Sequence, residues 1–392
     1  MAVGDPPGPD PGDQLGGRHP AGLHVGLLVA SLEVAPIGRG QPSGDEVVVL
    51  LGRDARRGVR RPERRPLPGG QTGLLEGAKA KVWEVARKAQ EGKPAPELRI
   101  GLVAYRDRGD DYVTQVLPLT SDLDAVYAKL SAFTAGGGGD GPEHVLRGLD
   151  DAISSQWSTD PRAVKLVYLV GDAPPHFDYQ DGITLESVIA KANKAGVRVS
   201  AIRCGGDQAT LTAWTDIAKK TDGEVATIEQ QGGVVAVATP FDDELARLNA
   251  ELARTEIHYG SADDLREAKS IVEKNMAAPS IAQADRAGFY ATKAAAGAAA
   301  PTKKDLTAGG KRVEDVAEAE LTPEMRAMSV DERARFVAEK KREREAILAK
   351  ISELSAKRSA HLKTAAAPAA SAFDGRVFES LKRAGAKSGI AY

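Results

Sequence analysis

The stretch from Ala163 to Tyr179, AVKLVYLVGDAPPHFDY, limits the choice of fold more than any other part of the chain. Val164 to Val170 is a short, nearly unbroken apolar run rich in valine. Such a run, bounded by a turn signal, reads as a strand buried on both faces, as in a parallel sheet. Gly171-Asp172 ends the run, and Pro174-Pro175 forbids an immediate helix. In an open α/β sheet, ligands collect beyond the carboxyl ends of the central strands, which is where Asp172 would be held. Asp172 either turns the chain or serves a site at that end, and its neighbours decide between the two.

Those neighbours alternate between two hydrophobic periods. Leu75, Ala78, Val82, Val85, Ala86 and Ala89 recur at helical spacing. ELRIGLVAY (97–105) and YVTQVLPL (112–119) read as strands joined by the turn RDRGDD, an antiparallel hairpin. Ser121-Asp122 opens a helix, GGGGDG breaks it, and Pro142 begins another that carries Val145, Leu149 and Ile153. After the central strand, helices over about 184–195 and 209–220 separate strands at 197–204 and 224–229. The expected class is α/β over 72–258: a doubly wound, mostly parallel sheet with an antiparallel edge hairpin.

Residues 259–320 are Ala-, Lys- and Gly-rich and read as a linker around a marginal helix. The last segment, 321–392, reads as a helical extension. Ser329 and Glu332 form a capping box, and Ile347, Ile351, Leu354, Arg358 and His361 make a narrow seam behind it. Such a seam suits a helical hairpin or short coiled coil, against the alternative of a solvated single helix of mixed charge.

Composition removes several functions. A net charge of -2 supplies no cation excess to neutralise phosphates, which excludes a general nucleic-acid binder. No apolar run approaches the ~20 residues that span a bilayer. The single cysteine, Cys204, excludes an internal disulfide and reads as a small core residue. Gly136, Gly138 and Gly141 fit the spacing G-x-G-x-x-G, but they follow a helix rather than a strand, so a dinucleotide site is rejected. There is no Walker lysine, no H-E-x-x-H and no G-x-S-x-G, and nothing in the sequence asks for an enzyme.

Residues 1–71 differ from the rest. They contain no Lys, Asn, Phe, Tyr or Trp and are crowded with Arg, Pro and Gly. So little large apolar surface predicts disorder over most of the segment, with 45–51 as the candidate strand. The apolar patch LHVGLLVASLEVA lacks the basic flank of an export signal. The chain as written therefore reads as cytoplasmic, and as exported if its true start differs.

What remains is a coincidence of carboxylates, since Asp140 and Asp172 fall in loops that open at one end of the expected sheet. Two aspartates there would suit a hard divalent cation, which takes oxygen ligands. LRIGLVAYRD, GGGGDGPEHVLRGL, KLVYLVGDAPPH and VRVSAIRC together resemble the von Willebrand factor type A domain over about 72–230. The resemblance implies a protein-binding, adhesion- or scaffold-type domain whose Mg²⁺ or similar ion bridges to an acidic residue of a protein partner. It assigns Asp172 and Asp140 to the metal, and His176, Glu143 and Arg106 to the rim. The family's first-strand motif, Asp-x-Ser-x-Ser, is missing: GRDARRGVRRPERRPLPGGQTG stands there instead. The site is therefore expected to be degenerate, with weak or no Mg²⁺ binding. Two other readings stay open. One is a structural interaction protein acting through the helix at 330–361. The other is a metal-dependent hydrolase, or a regulatory subunit of an ATPase or kinase.

Arg, Pro and Gly in place of Lys, Asn and aromatics is what GC-rich DNA yields when translated out of frame, and family-like sequence resumes abruptly at Thr72. Sequencing the coding DNA and translating it in three frames should therefore reveal an apolar strand ending in Asp-x-Ser-x-Ser shortly before Thr72. Finding that motif in no frame would make 1–71 a genuine segment and the degenerate site real.

Overall fold

The computed structural model describes residues 26–36, 49–50, 72–133, 141–228, 237–297, 304–308, 311–364 and 372–392. Its centre is a seven-stranded sheet of β1 (Gly26–Pro36), β2 (Val49–Leu50), β3 (Pro96–Tyr105), β4 (Thr114–Thr120), β5 (Val164–Gly171), β6 (Arg198–Cys204) and β7 (Val225–Ile228). The order is β2-β3-β1-β5-β6-β7, with β4 against β3. Helices α1 (Thr72–Gln90), α2 (Leu123–Ser131), α3 (Val145–Ile153), α4 (Leu185–Ala195) and α5 (Gln208–Lys220) fill the connections of this unit. After it come α6 (Asp242–Ala253), α7 (Ala262–Met276), α8 (Ser280–Ala295), the short α9 (Pro323–Arg326), α10 (Val330–Thr364) and α11 (Ala372–Lys387). No described helix is long and apolar enough to cross a membrane.

β5, β6 and β7 are parallel and joined by α4 and α5, which is the βαβ arrangement. A Thr184–Ser187 capping box starts α4, and Gly196 at φ 69° ends it in a left-handed conformation that a side chain would disfavour. β3 and β4 form the expected hairpin.

The sheet departs from expectation at its centre. Gly26–Pro36, which falls in the segment read as disordered, lies between β3 and β5 and is antiparallel to both. Of the candidate strand at 45–51, Val49 and Leu50 are described, paired in parallel with β3. Three ladders are then parallel and three antiparallel, so the sheet is mixed rather than mostly parallel. GLLVASLEVAP pairs along nearly the whole of β3, from Val29 opposite Val103 to Pro36 opposite Pro96.

Helices cover both faces. Val103, Tyr105, Val167, Leu169, Val199 and Ala201 pack with α3, α4 and α5 on one side. Leu102, Ala104, Leu166, Tyr168, Val170 and Ile202 pack with α1, α2 and α11 on the other, where α6, α8 and α10 continue the core outward.

The linker expected over 259–320 is replaced by α7 and the buried helix α8. Ala282, Ala284, Ala287 and Ala291 are buried. Small side chains of this kind look like linker in sequence, but they also let helices approach closely, and α8 packs against α1, α6 and α10. Arg286 binds Asp124 with both Nε (2.6 Å) and Nη2 (2.7 Å), Asn249 at 2.7 Å and Glu256 at 3.2 Å. Asp124 also accepts the Tyr290 hydroxyl.

The seam of α10 faces α6 and α8, not a coiled-coil mate: Ile347, Ile351 and Arg358 are buried, while His361 is exposed beside Phe241. Arg358 bridges Asp242 of α6 and Asp285 of α8 at 2.6 Å each. α11 docks on the sheet, with the Tyr168 hydroxyl donating to the Val377 carbonyl at 3.1 Å and Ser200 meeting Ser380 at 3.2 Å. Ile351→Asp would put a carboxylate into this core without a partner and should cost about 3 kcal/mol or more. Glu353→Ala, on the solvent face, should stay within about 0.5 kcal/mol. Urea denaturation of the two variants provides the comparison, and equal midpoints would mean the seam is solvated.

Candidate functional site

β3 and β5 are each antiparallel to β1, so they run in one direction and their carboxyl ends open at the same edge of the sheet. Two loops leave from that edge, Arg106–Asp111 after β3 and Asp172–Gly182 after β5. Gly171 sets the exit of the second. A Cβ there would lie 2.9 Å from the Tyr105 hydroxyl and 3.1 Å from the Trp214 ring, so only glycine lets β5 pass beneath them. Beyond Gly171, the Asp172 carbonyl accepts the Thr210 hydroxyl of α5 at 3.2 Å.

A third segment, Gly141–His144, enters α3 at the same edge and is tied to the β5 loop by backbone. The Glu143 amide donates to the Pro174 carbonyl (3.0 Å), and the His176 amide donates to the Glu143 carbonyl (3.1 Å). These two bonds make a short parallel bridge between Glu143 and Pro175. Asp172, Glu143, His176 and Arg106 are thereby gathered into one region, whereas Asp140 lies outside the described residues.

Glu143 is only 4% exposed, and its Oε2 has no hydrogen-bond partner. Loss of water, with the fields of Asp110, Asp107 and Asp172 added and that of Arg106 opposing, pushes its carboxyl up to about 9. Glu143 is therefore a neutral acid at pH 7. Arg106 is 2% exposed; its Nη1 is 3.8 Å from Asp111 and its plane lies 5.0 Å from the Tyr112 ring, while Nε and Nη2 make no hydrogen bond.

His176 is held from several sides. Nδ1 meets Asp178 at 2.8 Å, Nε2 lies 3.6 Å from Asp107, and the ring stacks on Tyr179 at 4.2 Å. Tyr179 donates its hydroxyl to Asp107 at 2.6 Å and carries the Arg108 guanidinium 4.0 Å over its ring. Asp181 takes Arg108 on one side and the buried His144, 3.0 Å away, on the other. Burial holds His144 below the usual histidine range despite Asp181, so it is neutral at pH 7.

His144, which with His176 is the histidine that the sequence places in the two loops of interest, completes the surface together with Asp107, Tyr179, Asp181 and Phe177, four residues that did not stand out in the sequence. The signal available was the density of ring and acid residues in PHFDYQD. Phe177 is 61% exposed, one of the few large apolar side chains turned to solvent.

Among the described residues no three His, Cys, Asp or Glu side chains are grouped to hold a metal ion.

Glu143 also sets a pH dependence. Its folded-state affinity for the proton exceeds the unfolded one, so its contribution to stability is complete below about pH 4.5 and is lost as pH rises toward about 9. Glu143→Gln imitates the protonated acid. The variant should nearly match the parent at pH 4.5 and exceed it by about 5 kcal/mol at pH 8. Parallel denaturation curves at the two pH values would show a Glu143 that is solvated in the folded state.

No family model matches the chain, and no curated protein matches it.

Proposed function

We propose that this chain is a protein-binding module of the von Willebrand factor type A kind, with a degenerate adhesion site, and that it meets its partner at the carboxyl edge of β3 and β5. The observation that carries this reading is the backbone bridge from Glu143 to Pro174 and His176. It joins G-P-E-H and D-A-P-P-H, two of the segments that carry the family resemblance. Residues 72–258 are read as that doubly wound domain, with β1 standing where the family has its first strand.

The reading gives the chain no catalysis and a weak cation at most, because the missing Asp-x-Ser-x-Ser removes three oxygen donors. The rival in which α10 is the docking element is disfavoured, since the α10 seam is already spent on α6 and α8. Phe177 fits the role of anchor: a protruding aromatic beside charged residues is the usual composition of an interface hot spot.

Selection of random displayed peptides against the full chain tests this. Enriched peptides should lose tenfold or more in affinity when Phe177→Ala is introduced, and binders indifferent to that change would overturn the assignment of the surface. Calorimetry with Mg²⁺ at millimolar concentration should show little heat. Saturable micromolar binding that disappears in Asp172→Ala would restore a working metal site.

A further inference from the structure

A cavity of about 400 Å³ opens between α1, α2, the end of α7 and the start of α8, and no residue of the β3–β5 edge lines it. Its size is that of a small-molecule site, since such sites run from about 300 to 1,000 Å³. The walls are mainly apolar, formed by Tyr127 of α2, Ala277 and Ala278 beyond α7, and Ile281 and Ala282 of α8.

Charge enters these walls with one sign. Lys79 and Lys274 line the cavity, and among the described residues no Asp or Glu does. The Lys79 ammonium is held in place by donation to the Phe133 carbonyl just beyond α2, at 3.0 Å. Lys274 is exposed, and Glu273 beside it pairs with Lys269 instead, at 4.0 Å. A second cavity, of about 260 Å³ between α2 and α7, shows the contrast. There Glu256 and Asp264 are met within the same walls by His258 at 3.2 Å and Lys304 at 2.7 Å.

An apolar cavity with two ammonium groups is complementary to a molecule that has an apolar body and one anionic end. The body displaces water from the walls, and the anion takes charge-assisted N–H bonds. We infer that this cavity binds a small amphipathic carboxylate, its carboxylate at Lys79 and Lys274 and its hydrocarbon portion against Tyr127, Ala278 and Ile281. The inference goes beyond the binding-module reading and does not rest on it. Such a ligand touches α1, α2 and α8 together and binds only the folded chain, so it should also raise the melting temperature.

Octanoate is the probe, titrated calorimetrically into the full chain, with acetate and 1-octanol as controls for the charge and the hydrocarbon alone. Octanoate should bind saturably at one site and raise the melting temperature, with acetate and octanol weaker by about tenfold or more. Lys274→Gln, at an exposed position, should weaken octanoate about tenfold and leave octanol unchanged, because only the charge-assisted bond is lost. Ala277→Leu, also at an exposed position, should fill the cavity and abolish binding of both. Lys194→Gln, on α4 at the other face of the sheet, should change nothing. The melt of each variant without ligand checks its fold, and Lys274→Gln decides alone if Ala277→Leu does not fold. No saturable heat from octanoate at millimolar concentration would overturn the inference, as would octanoate binding that either folded cavity variant leaves unmoved. Octanol binding as tightly as octanoate would overturn it too, by removing the carboxylate from recognition. None of these results bears on the peptide-binding edge, which the Phe177→Ala experiment tests separately.

Discussion

From Leu166 to Val170 every side chain of β5 is apolar or aromatic and buried, three on one face of the sheet and two on the other. A strand enclosed in this way can place no charge along its length, since a charge buried without a partner costs several kcal/mol. The first position available for polar chemistry is the one after Gly171. The same limit acts on β3, which is buried from Ile100 to Tyr105 and releases its charges only from Arg106 onward. Because the two strands run in one direction, the two releases coincide in space. The site at that edge is a consequence of burial elsewhere, before any question of function arises.

How much of this could be read in the sequence follows from which interactions are local. The apolar run 164–170, its Gly-Asp stop and the diproline are local signals, and they locate the strand and its loop. The meeting of Glu143 with Pro174 was also within reach once strand direction was assumed, because both loops then face one way. The burial of Glu143 was not, since it depends on Asp107, Asp110 and Arg106, which lie more than thirty residues away in sequence. α8 failed to show for a different reason. Its alanines carry little hydrophobic signal, and its ion pair between Arg286 and Asp124 joins residues 162 apart. β1 was missed because the Pro- and Gly-rich sequence around it argued for disorder, while its pairing is set by partners far along the chain.

The helices after β7 alter what the α/β unit can be used for. α11 lies across the sheet face near Tyr168 and Ser200, and Tyr392 reaches the Ala89 carbonyl at 3.1 Å. α10 is stapled to α6 and α8 by Arg358. The apolar stripes that a separate extension would offer to a second protein are thereby consumed inside the chain. On the proposed reading, recognition falls to the loops at the β3–β5 edge, where Phe177 is exposed.

The chain pairs its buried charges with care in one place and leaves one unpaired in another. Arg286 is satisfied by Asp124, Asn249 and Glu256, and Arg358 by Asp242 and Asp285. Against the cost of burial, His258, Arg286 and Arg344 hold the Glu256 carboxyl below the ordinary range. Removing a member of such a set leaves an uncompensated ion and costs about 3–5 kcal/mol. Glu143 has no comparable partner; it avoids the penalty by keeping its proton. Glutamine or leucine at 143 would fill that space without such a conflict.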